Sequence, residues 1–141
     1  MKTKHLVLVA LLGLATTGIL QAQFFYPVLK NYSAADMKRL DKAYASSLSY
    51  PNNNIVEAAL ALVTMIKLDV PANKFSLIED KIGDLVIKGE TPVIRFKAYL
   101  AEMVFTDPDM FREEAVRHYE NTDALFSALA ERITKTLLSS N

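Results

Sequence analysis

Breakers divide this chain into short pieces, and every piece longer than a turn repeats its apolar residues at helical rather than strand spacing. Pro51, Pro71, Gly89, Pro92 and Pro108 punctuate the sequence. Proline removes a backbone donor and glycine carries a high conformational cost, so neither continues a helix cheaply. No segment alternates apolar and polar residues with period two, as a half-buried strand must. The expected domain, residues 33–141, is therefore all-α, with about six helices. Their connections are only a few residues long, which favours antiparallel neighbours.

The helices can be placed from their ends. Ser33 with Asp36 three residues on has the form of a capping box, and Met37, Leu40, Tyr44 and Leu48 then follow at helical spacing, predicting a first helix over 34–49. Pro51 and the run Asn52-Asn53-Asn54 break it, and Asn54 is read as the cap of a second helix with Glu57 as its reciprocal partner. From Ala58 to Ile66 only Thr64 is polar, so this helix is expected at the centre of the core. Asp69, Val70 and Pro71 end it. A third helix is expected from about Asn73 to Lys88, with Phe75, Ile78, Ile82 and Leu85 on one face and Gly89 as its stop. Thr91-Pro92 opens a fourth, to about Phe105. Asp107-Pro108 repeats that signal for a fifth, to about Tyr119. Asn121 or Thr122 opens a sixth, striped by Leu125, Leu129, Ile133 and Leu137.

The first 22 residues have a different organisation. Lys2 and Lys4 precede an apolar run from Leu6 to about Ala15, and small residues lead to Ala22. This is the three-part form of a secretory signal peptide, with cleavage expected after Ala22. Thr16 and Thr17 interrupt the run, which is shorter than the roughly 20 apolar residues of a bilayer span. The processed protein is expected to be exported, periplasmic or secreted, with no stable membrane anchor. Residues 23–32 read as an extended aromatic arm, since Pro27 biases Tyr26 away from helical angles. Phe24, Phe25 and Tyr26 either pack back on the helices or dock on a partner.

The chain contains no cysteine, which excludes disulfides, thiol catalysis, thiolate metal sites and a lipid attached through a thioether. Cleavage after Ala22 would remove two of the 16 basic side chains and none of the 16 acidic ones. The slight acidic excess is not a nucleic-acid footprint, which needs basic charge concentrated on one face. His118 alone would remain as a histidine. Glu114, four residues before it, would share its helix face, but one such pair supplies neither the three ligands of a mononuclear zinc site nor a recognisable metal motif. No phosphate-binding glycine loop or nucleophile elbow occurs. The sequence assigns no catalytic residue, metal ligand or cofactor and points away from an enzyme.

One resemblance bears on architecture. At an offset of 39, Ile55 falls on Ile94, Ala59 on Ala98, Leu62 on Ala101 and Ile66 on Phe105. HEAT-type repeats have a period of about 40–47 residues. Thr91-Pro92-Val93-Ile94-Arg95-Phe96-Lys97-Ala98-Tyr99-Leu100 resembles the start of such a repeat's first helix, in its proline, its apolar-arginine pair and its later alanine. The resemblance covers about residues 52–119. It implies a stacked α-α superhelix that presents a surface to another protein; the alternative is a non-repetitive helical bundle. Arg95 and Lys97 interrupt an otherwise apolar helix, either as its solvated edge or as a charged groove for a partner segment. The expected function is a non-enzymatic protein-interaction or structural module. The alternative is a small carrier that holds an apolar ligand between helices, near Phe96, Tyr99, Phe105 and Phe111.

Overall fold

The structure, a computed structural model, describes Leu29 and residues 31–141. The expected signal peptide, residues 1–22, and Phe24, Phe25 and Tyr26 of the arm lie outside the described residues. Among the described residues five α-helices follow one another from Ala34 on: α1 (Ala34–Leu48), α2 (Asn53–Asp69), α3 (Ser76–Lys88), α4 (Pro92–Thr106) and α5 (Thr122–Ser139). Two 3-10 turns, Pro108–Phe111 and Glu114–Val116, occupy the link between α4 and α5. The described residues contain no strand.

The caps explain most of these boundaries. Ser33 and Asp36 form both arms of the capping box at α1, with Asp36 N–H donating to Ser33 Oγ at 3.2 Å and Ser33 N–H to Asp36 Oδ2 at 3.1 Å. Those bonds hold the Asp36 carboxyl below its ordinary range. Thr91 Oγ1 caps α4, with Pro92 in its first turn, and Asn121 Oδ1 caps α5. The second helix begins earlier than its sequence signal suggested. Its cap is Asn52, whose Oδ1 accepts from Asn54 N–H at 2.9 Å, so Asn54 lies inside the helix and is not its cap. Three consecutive asparagines are equally competent acceptors, and the first one wins because Asn53 and Asn54 already have helical backbone. The third helix begins at Ser76, later than the expected Asn73.

Two expectations are corrected. The fifth helix expected over 108–119 does not form. Asp107 does act as its start signal, Oδ1 accepting from Met110 N–H, but only two 3-10 turns follow. The stripe that a continuous helix would bury is Phe111, Ala115 and His118, which offers one large apolar side chain. Short helices depend on such packing for their stability. Glu114 and His118 consequently do not share a helix face: Glu114 is buried and His118 is exposed.

Helix α2 is the centre of the core, as its composition suggested. It packs against α1, α4, α5 and both 3-10 turns, and Val56 together with every residue from Ala59 to Leu68 is buried. Each buried Val, Leu or Ile side chain contributes about 1.5–3 kcal/mol. The one hydroxyl in this run, Thr64, donates back to Leu60 C=O at 2.6 Å, so its burial leaves no donor unmade. Helix α1 also packs on α3, and α3 packs on α4. The first pair of helices is thus laid against the second, α1 on α3 and α2 on α4. Leu29 belongs to this core, and Tyr32 N–H closes a turn onto its carbonyl.

Helix α3 has no cap of its own, since Phe75 stands at that position. Asp41, in the middle of α1, supplies it. Its Oδ2 accepts from Leu77 N–H at 3.2 Å and its Oδ1 from Ile78 N–H at 2.9 Å. The carboxylate meets the positive end of the helix dipole and two of its orphan donors.

Candidate interaction surface

Helix α4 carries the residues singled out from the sequence, and it carries apolar residues on two faces. Ile94, Ala98, Leu100, Ala101 and Val104 are turned inward and are almost wholly buried. On the other side Val93 is 50% exposed, Phe96 53% and Tyr99 42%. Phe96 and Tyr99 are three residues apart, and Met103 continues the same line at the next turn. Met103 is partly buried and packs against the core.

Lys97, three positions on from Ile94, points into the molecule. Its ammonium lies 2.7 Å from Glu57 Oε2 on α2 and 2.7 Å from Asp123 Oδ1 on α5, and 5.6 Å from the Phe126 ring centroid. Burial by itself lowers a lysine pKa. Here the hydrogen bonds and charges of Asp123 and Glu57 more than offset it, and the ammonium is held above its ordinary value. Lys97 is therefore not part of a solvated edge but a tie among three helices. Arg95 is half-buried on the flank of the exposed face, where its Nη1 donates to Gly89 C=O at 2.6 Å and closes the link between α3 and α4. The structure does not bring Arg95 and Lys97 into one groove.

On the same flank as Arg95, two turns along, stands Glu102. It is half-buried, and its carboxylate has no hydrogen-bond or ion-pair partner among the described residues. Arg95, Glu102, Tyr99 and Phe96 together make a strip with an ionic border and an aromatic centre.

Other charged groups serve the fold. Glu114 is buried beside Arg132 of α5, whose Nε donates to it at 3.2 Å, and the same guanidinium binds Glu113. Glu113 is held below the usual carboxylate range by that contact. Tyr119 Oη donates to Glu114 C=O at 3.3 Å. On α2, Lys67 Nζ donates to Asn73 C=O at 2.7 Å and sits 5.5 Å from the Phe105 ring centroid. Burial pushes its pKa down, and the charge of Glu79 works against that shift. Among the described residues, no group of three or more His, Cys, Asp or Glu side chains is arranged to hold a metal ion. No described helix is long and apolar enough to cross a membrane.

Of the four aromatics read as a lining for an apolar ligand, Phe111 is fully buried and Phe105 partly, packing edge-on against Phe75 at 6.5 Å. Phe96 and Tyr99 face outward. Periodicity held the signal for this: Pro92–Thr106 has apolar residues at helical spacing twice over, and one helix against one core can bury only one such stripe. No family model, no curated protein and no solved structure matches the chain.

Proposed function

We propose that this chain is an exported, non-enzymatic helical module that works by binding protein through the outer face of α4. The observation that carries the reading is the outward placement of Phe96 and Tyr99, with Val93 at their edge, on a helix whose opposite face is fully buried. Aromatic side chains bring much apolar area to a contact with little conformational cost and are enriched at protein interfaces. The Arg95 and Glu102 border supplies the polar rim that such surfaces have. Export rests on the form of residues 1–22. The pairing of α1–α2 against α3–α4 supports a small stack of two helical hairpins in the manner of HEAT repeats, with the outer face of α4 as its presenting side. The carrier reading has less support, because two of its four aromatics point away from the core.

The test is chemical crosslinking in the native host, followed by capture of the tagged protein, for the wild type and for Phe96→Ser/Tyr99→Ser. A set of crosslinked proteins present in the wild type and missing in the double variant supports the reading. An identical set in both sinks it, provided circular dichroism shows the variant folded.

A further inference from the structure

We infer that the outer face of α4 binds the same face of a second copy of this chain, as an antiparallel helix pair about a two-fold axis. The inference rests on the interaction reading above and names its partner. It follows from how the charged border and the aromatic centre fall along one helix.

A two-fold contact is self-complementary, so whatever one helix offers at a given distance from the axis must match what the other offers there. In an antiparallel pair, residues on the same flank meet when they lie equally far from the axis on opposite sides. Arg95 and Glu102 share a flank, and the point midway between them falls between Ala98 and Tyr99. With a rise of about 1.5 Å per residue, each lies about 5 Å from that point. An axis there sets Arg95 of one copy against Glu102 of the other, twice. Within one chain these two groups form no ion pair, and Glu102 has no other partner among the described residues. Arg95 uses one donor on Gly89 C=O and keeps the rest of its guanidinium fork.

The same axis settles the aromatic residues without further adjustment. Phe96 lies about 4 Å from it, and the second copy's Tyr99 and Met103 lie about 1 and 7 Å away on that side. Phe96 therefore enters the gap between them, as a knob enters a hole. A parallel pairing would instead set the Arg95–Glu102 flank of each copy against the aromatic flank of the other and would form neither ion pair. One helix face is small beside the surfaces of permanent dimers, so the pair is reversible and its population rises with protein concentration.

Sedimentation velocity of the purified exported protein over a concentration series tests this. The expected result is a weight-average mass that climbs from one chain towards two. Glu102→Arg should weaken the association about tenfold, by setting Arg95 against a second cation. Arg95→Glu/Glu102→Arg should restore it. Because Arg95 also closes the α3–α4 link, a second measurement avoids altering it. The chain has no cysteine, so Tyr99→Cys and Leu138→Cys each introduce a single thiol. Mild oxidation should link Tyr99→Cys into dimers much faster than Leu138→Cys, which is 72% exposed in the wild type but stands at the far end of α5. A mass of one chain at every concentration, or equal crosslinking of the two cysteine variants, overturns the inference. Should the monomer still capture a different protein through Phe96, the self-pairing is wrong and the interaction module stands.

Discussion

Asp41 and Tyr44 lie on consecutive turns of α1 and are both buried. Asp41 receives two amides of α3, one on each carboxyl oxygen. Asp41→Ala leaves the buried Ile78 donor and the part-buried Leu77 donor without a partner and should lower the unfolding free energy by about 2 kcal/mol in urea titrations. Tyr44 must keep its proton, because burial, helped by Tyr32, pushes its pKa up to about 12. In the unfolded chain tyrosine ionises near 10. The folded state is therefore undiminished by this group below about pH 10 and loses stability as the pH rises towards 12, where the unfolded chain releases a proton that the folded one retains. Tyr44→Phe removes that loss, on the order of 2 kcal/mol at the upper end. Its thermal midpoint should match the wild type at pH 7 and exceed it near pH 11. Tyr32 and Tyr119 are also raised by burial and leave a smaller residual dependence.

Among the elements, two glycines six residues apart, Gly83 and Gly89, show how differently one residue type is used. Gly83 lies within α3, where an added Cβ would meet nothing closer than Glu102 Oε1 at 3.9 Å. Gly83→Ala should raise stability by up to about 1 kcal/mol, since the helix gains and nothing is displaced. Gly89 ends the same helix, and its Cβ would stand 2.6 Å from Leu85 C=O and 2.9 Å from Ile94 Cγ2. Its φ of −53° suits any residue, so the constraint is space. Gly89→Ala should cost about 1–3 kcal/mol, and thermal melts of the two variants should move in opposite directions. The sequence made Gly89 legible as a stop, though by the wrong mechanism. Caps made by neighbours in sequence, at Ser33, Thr91 and Asn121, were legible because the donor lies within three residues of the acceptor. The cap from Asp41 was not, since nothing in the sequence links it to Leu77. The α5 stripe was half right: Leu125 and Leu129 are buried, whereas Leu137 is 65% exposed because α5 outruns the body it packs on.

At the scale of the molecule, the all-α class and the central place of α2 followed from composition and period alone. The outer face of α4 did not, because its aromatics are as apolar as core residues and only the packing shows which stripe remains outside. Lys97 misled for the converse reason. A charge in an apolar helix reads as surface until Glu57 and Asp123 are brought to it from 40 residues before and 26 after. The proposed export makes its own prediction: intact-mass spectrometry of the protein recovered from outside the cytoplasm should give the mass of residues 23–141, and recovery of the full-length mass in that fraction would refute cleavage after Ala22.

The carboxylate lent by α1 to α3 also bears on the order in which the chain acquires structure. A helix that starts on Phe75 and borrows its cap across 36 residues has no means of holding its first turn alone. The amides of Leu77 and Ile78 become protected from solvent deuterium only when α1 is formed and docked, so they report the assembly of two helices in one signal. In native-state exchange they should open together with α1, and Asp41→Ala should release them while leaving the amides at the far end of α3 protected.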